Sequence, residues 1–148
     1  MQLTRRTDYA LRVLIYLTGI DDRRVQIAEV AHSQDISRTH LMKIVNDLAH
    51  AGFVDTVRGR GGGIRLGRDP ADINLRELVQ TTEPGCSLLD CTACRFINQC
   101  NLPGILDEAS SAFNAVLAQY SLADIVREKT DIPYSTGAGR SQARVMSE

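Results

Sequence analysis

Residues Ile36–Val54, ISRTHLMKIVNDLAHAGFV, and Val57–Ile73, VRGRGGGIRLGRDPADI, decide how this chain folds. In the first, Leu41, Ile44, Val45 and Leu48 recur at helical spacing, so one face packs inward. Arg38, Thr39, His40, Met42, Lys43 and Asn46 fall on the opposite face. Ser37 stands where a helix N-cap belongs and Gly52 where a helix ends. Phe53–Val57 and Ile64–Leu66 alternate apolar and polar residues around RGRGGG, the pattern of a hairpin with a tip of arginine and glycine.

Working outward, Ile27, Val30 and Ala31 in QIAEVAHSQD form a shorter amphipathic helix. Upstream of it, Thr4 can cap a first helix whose apolar face runs from Ala10 to Leu17 and stops near Gly19. Helix, short helix, turn, helix and hairpin is the order of a winged helix-turn-helix, in a mainly α chain with a two-stranded wing. In that arrangement Ser37–Asn46 is the recognition helix. Arg38, Thr39, His40 and Lys43 are then expected to meet phosphates and base edges of a double-stranded DNA operator. Arg58, Arg60, Gly61 and Gly62 are expected to carry the wing's contact with the backbone or minor groove, with Arg65 and Arg68 adding to the local positive charge against Asp55 alone. An isolated helix with a few cations usually presents nothing more than a solvated face; the order of the elements is what favours DNA.

Downstream, Ile73, Leu75, Leu78 and Val79 mark a helix after Asp72 that ends before Glu83-Pro84-Gly85. Leu102–Tyr120 follows as a long helix, with Ile105, Leu106, Ala109, Phe113, Val116 and Leu117 at helical spacing. Ser121 can cap a final short helix to about Lys129. The expected organisation is a DNA-binding domain over 1–82, a cysteine-rich loop over 83–101, two helices over 102–130 and a disordered tail over 131–148.

The chain of 148 residues has a formal net charge of -1, but the balance is uneven. Residues 1–80 carry 12 Lys+Arg against 10 Asp+Glu, and residues 81–148 carry 5 against 8, so basic surface is expected in the N-terminal half. No apolar run is long enough to span a bilayer, since Arg12 interrupts Ala10–Leu17, and no small-residue cleavage site follows the first helix. A cytoplasmic protein without a membrane partner is expected. His32, His40 and His50 lie on helices away from any thiol or carboxylate constellation, and no phosphate-binding glycine loop is present, so no enzyme is expected.

All four cysteines fall in one segment, Cys86-x4-Cys91-x2-Cys94-x5-Cys100. In a reducing compartment such crowding favours a metal or redox centre over a structural disulfide. Thiolates suit an iron–sulfur cluster or zinc. Only Cys91-x2-Cys94 resembles half of a zinc knuckle, and redox-labile thiols without metal are a third reading.

With MQLTRRTDYALR at 1–12, the two stretches quoted first, the cysteine loop and YSLADIV at 120–126, the chain resembles the winged-helix iron–sulfur regulators of the IscR/NsrR family, most closely the nitric-oxide-sensing branch. The resemblance spans roughly residues 1–130. It implies a homodimer joined through the Leu102–Tyr120 helix and facing a near-palindromic operator. It implies an iron–sulfur cluster, 4Fe-4S in preference to 2Fe-2S, on Cys91, Cys94 and Cys100. A histidine just beyond the last cysteine, used by the IscR type, is replaced here by Asn101, Leu102 and Pro103. As in the nitric oxide sensors, Asp8 in the first helix matches a fourth ligand that reaches the partner subunit's cluster. Cys86 is supernumerary to the pattern and is the alternative ligand. The function so implied is a repressor released from its operator when nitric oxide nitrosylates the cluster. A regulator of iron or iron–sulfur status on the same fold, a zinc-stabilised DNA-binding protein without sensing and a small redox protein are the alternatives.

Overall fold

A computed structural model describes residues 2–20, 23–83, 89, 91–96 and 99–126. Helix α1 covers Arg5–Thr18; Thr4 caps it by accepting from the Thr7 amide (3.5 Å), and Gly19 ends it. Its Ala10, Val13, Leu14 and Leu17 are buried, as their spacing requires. Helices α2 (Ile27–Ser33) and α3 (Arg38–His50) meet across a tight turn through Asp35, whose φ of 53° is one of the left-handed conformations that aspartate tolerates. The Ile36 amide closes that turn on the Ala31 carbonyl at 2.9 Å. Ser37 does sit at the N-cap of α3, but its hydroxyl makes no capping bond.

Strands β1 (Val54–Val57) and β2 (Gly63–Leu66) pair antiparallel, with Val54 opposite Leu66 and Asp55 opposite Arg65. Val25 adds a single bridge to the outer edge, exchanging two backbone hydrogen bonds with Ile64 at 2.8 and 2.9 Å. The hairpin is thereby fastened to the segment that leads into α2. Leu14, Leu41, Leu48, Phe53, Ile64 and Leu78 fill one core beneath it.

The helix expected after Asp72 arrives in two pieces. Asp69 caps a 3-10 turn, Pro70–Asp72, by accepting from the Ala71 amide at 2.9 Å; Ile73 is extended; Asn74 then caps α4 (Leu75–Thr82) by accepting from the Arg76 amide at 3.0 Å. Two side-chain caps five residues apart outcompete a continuous helix.

Helix α5 spans Leu102–Leu117 and stops short of Tyr120, whose carbonyl is taken by the Leu75 amide at 3.0 Å. The Leu122 amide answers on the Ile73 carbonyl at 2.8 Å, and α6 (Leu122–Ile125) begins there with a capping box between Ser121 and Asp124. Leu122 is fully buried in the main core. In contrast, no residue of α5 is buried, and Ile105 and Val116 are each 54% exposed. The far end of the final helix and the expected tail over 131–148 lie outside the described residues.

Candidate functional site

At 100° per residue, the exposed ridge of α3 is centred on Thr39 and Asn46. Arg38 and Met42 lie toward the wing and line an open groove with Asn46, Thr56 and Arg58. His40 and Lys43 lie on the opposite flank, toward α1. The outward residues named from sequence therefore face two sides of one helix. Leu41, Ile44, Val45 and Leu48 anchor it from beneath.

The wing's four arginines divide by partner. Arg65 is held by Asp55 directly across the hairpin (3.1 Å). Arg68 forms a two-pronged pair with Glu77 (3.0 Å to each oxygen) and stacks over Phe53, 4.5 Å from the ring centre. These two serve the fold, contrary to their inclusion in the wing's free charge. Arg58 and Arg60 have no ion pair among the described residues and are exposed, as are Arg38 and Lys43.

The tip glycines also divide. Gly59 and Gly61 are exposed with φ of 94° and 77°, conformations that glycine alone adopts cheaply. Gly62 is buried with ordinary φ; its amide donates to the Gly59 carbonyl (3.0 Å) and its carbonyl accepts from Gln26 Nε2 (2.5 Å). A Cβ there would come within 2.2 Å of the Val57 carbonyl oxygen. Glycine at 62 is thus demanded by closure of the turn.

Cys91, Cys94 and Cys100 are free thiols, the last two exposed, and the Cys94 amide bonds to the Cys91 carbonyl at 3.2 Å, which places two thiols on one turn. Soft, accessible sulfur donors within one short segment fit an iron–sulfur cluster chemically. Among the described residues, no three His, Cys, Asp or Glu side chains converge into a cage within one chain. Cys86 lies outside the described residues. Asp8 is engaged by Arg12, with Nε to Oδ1 at 3.1 Å and the terminal nitrogen to Oδ2 at 3.0 Å.

The entry to the cysteine segment is tied to α1. Glu83 accepts from the Thr4 amide (2.6 Å) and from the Thr7 hydroxyl (2.5 Å), and the Thr7 and Thr82 hydroxyls, both buried, lie 2.9 Å apart. Sequence reasoning treated α1 as a packing helix with a candidate ligand and missed this clamp, because the three residues are polar, sit far apart in the chain and carry no motif.

A family model described as "Rrf2: Iron-dependent Transcriptional regulator" matches residues 3–128. A relative from Bacillus subtilis (strain 168), named HTH-type transcriptional regulator NsrR, is 44% identical over 138 residues, covering 89% of this chain and 94% of the relative. One of the same name from Geobacillus kaustophilus is 41% identical over 138 residues, with 89% and 94% covered. Among solved structures, T. potens IscR superposes with a TM-score of 0.69 at 21% identity, covering 95% of this chain and 94% of that one. CymR, the global cysteine regulator of B. subtilis, gives 0.64 at 22%, covering 85% and 96%. No helix among the described residues is long and apolar enough to cross a membrane. With a winged helix, an open recognition face and a family match over most of its length, the chain belongs to the Rrf2 family of transcriptional regulators, proteins that act on DNA and are not enzymes.

Proposed function

We propose that this protein is a homodimeric repressor whose hold on its operator depends on an iron–sulfur cluster, 4Fe-4S in preference to 2Fe-2S, and is released by nitric oxide. Cys91, Cys94 and Cys100 would hold the cluster, with Asp8 of the partner subunit as fourth ligand and Cys86 as its alternative. When bound, the cluster supplies the iron at which nitric oxide reacts.

The observation that carries the reading is the clamp of Glu83 on Thr4 and Thr7. It fixes the start of the thiol segment to the helix that carries Asp8, so the state of the thiols and the position of a DNA-reading domain are mechanically joined. Arg12 holds the Asp8 carboxylate within its own chain, and ligation across the dimer requires that grip to open. The apolar residues that α5 leaves exposed are what a two-fold mate would cover. The NsrR name of the relatives supports the nitric oxide branch.

The family's description as iron-dependent favours a second reading, in which iron supply is the signal. Oxygen-free purification, iron and sulfide analysis, and titration with nitric oxide against labelled operator test both. Coloured protein whose operator affinity falls at least tenfold with nitric oxide is the expected result. Release by an iron chelator but not by nitric oxide selects the iron reading. Colourless protein containing zinc, with affinity indifferent to the thiols, overturns the sensor.

A further inference from the structure

The flank of α3 that faces away from the wing has its own groove, formed against the start of α1 and lined by Arg5, Arg6, Tyr9, His40, Lys43 and Asp47. Its one carboxylate, Asp47, is already committed to Arg6 at 2.9 Å. Arg5 and Lys43 are exposed and have no ion pair among the described residues. An uncompensated positive pair thus remains, with the Tyr9 side chain beside it. Arg5 is the first residue of α1, and the burial of Thr7 and Ala10 behind it holds that helix end against the core.

The major groove of B-DNA is about 12 Å wide and is walled by two phosphate strands, and an α-helix with side chains is about 10–12 Å across. A recognition helix seated there offers one flank to each strand. On this protein the wing, with Arg58 and Arg60, stands on one flank, and the α1 groove on the other. We propose that Arg5, together with Lys43, grips the phosphate backbone of the operator strand opposite the one met by the wing. α1 then serves as a second, sequence-independent clamp. This rests on the DNA-binding reading of α3 and adds a residue outside the helix-turn-helix and the wing. A phosphate is recognised here by charge, so the contact sets orientation and salt dependence and leaves base preference to α3.

The test compares Arg5→Ala, Arg5→Lys and Arg60→Ala in the purified dimer, with affinity for operator and for a random duplex measured over a series of salt concentrations. Arg5→Ala should weaken both duplexes about five- to tenfold at 0.1 M salt and lower the slope of log affinity against log salt by about one. Arg5→Lys should restore the slope. The cost of a neutral methylphosphonate linkage scanned along the strand opposite the wing should vanish at one position in Arg5→Ala. An Arg5→Ala slope equal to the parent's, with the Arg60→Ala slope reduced, overturns the clamp while the DNA reading stands. Both slopes unchanged removes the clamp and the DNA reading together. Inorganic phosphate at constant ionic strength should not compete with operator; competition that Arg5→Ala abolishes would make the groove a small-anion site and overturn the clamp. Arg5 has no partner in the fold, so its variants should melt with the parent; if Arg5→Ala melts lower, Arg5→Lys against methylphosphonate duplexes carries the decision.

Discussion

The side chain of Gln26, at the N-cap of α2, donates to the carbonyl of Gly62 inside the wing tip at 2.5 Å. Two hairpin strands alone are marginal in water, and this bond with the Val25–Ile64 bridge holds the wing in register with α3. Gln26→Ala should therefore lower operator affinity several-fold while costing only about 1 kcal/mol of stability, read by fluorescence anisotropy and urea melts. Gly62→Ala should be worse, about 2 kcal/mol or more, because its Cβ meets backbone that cannot yield. Equal effects of Gly62→Ala and Gly61→Ala on stability would contradict the separate roles given to buried and exposed tip glycines.

Arg68 and Arg60 should behave as opposites. Removing Arg68 forfeits its pair with Glu77, its contact with Phe53 and its hydrogen bonds to the Gly52 and Ala51 carbonyls. A loss of about 1–2 kcal/mol is expected, with the salt dependence of binding intact. Arg60→Ala should leave the melting curve in place and reduce the salt slope by about one. A reversed pattern would mean that partner choice in the fold does not identify the DNA contacts.

Acid should weaken the fold through Glu29. The hydrogen bond from Arg23 holds its carboxyl below the ordinary value of 4.5, with the Tyr16 hydroxyl assisting and burial opposing. A carboxylate so depressed contributes stability that is present above its unfolded value and is lost as pH falls from 4.5 through the folded value. Denaturant midpoints measured from pH 7 down to pH 3 should fall more steeply in the parent than in Glu29→Gln. Parallel acid limbs would remove Glu29 from the account.

Charge placed on α5 should separate the dimer. Ile105 is exposed in the single chain and contributes nothing to its core, so Ile105→Asp should fold with an unchanged circular dichroism spectrum while sedimenting at half the parent's mass. A dimer that survives Ile105→Asp and Val116→Asp together would place the two-fold contact elsewhere.

Much of the reading domain was legible in the sequence because its signals are local. The period of Leu41, Ile44, Val45 and Leu48 and the turn chemistry of Arg58–Gly63 depend on neighbours a few residues away. The status of each arginine was not legible. Arg65 is neutralised only because the hairpin register sets Asp55 across from it, and Arg6 only because α1 crosses α3 at Asp47. Both are consequences of tertiary placement. Thiol identity and spacing pointed to a soft metal centre, but whether four donors from two chains converge is decided by an assembly that one sequence does not display. The split of the 72–82 region into a 3-10 turn and α4 was readable in principle from Asp69 and Asn74, two good caps in close succession.

Leu75 and Leu122 are fastened to the opposite sides of one short backbone bridge, so the chain leaves the reading domain and re-enters it at a single place. Everything between, the thiol segment and α5 included, is an excursion with stapled ends. Lengthening such an excursion costs only about 0.6 kcal/mol for each doubling, since closure entropy grows as a logarithm. Spacing between the cysteines can accordingly drift among related regulators, and new chemistry be grafted there, with no retuning of the part that grips the duplex.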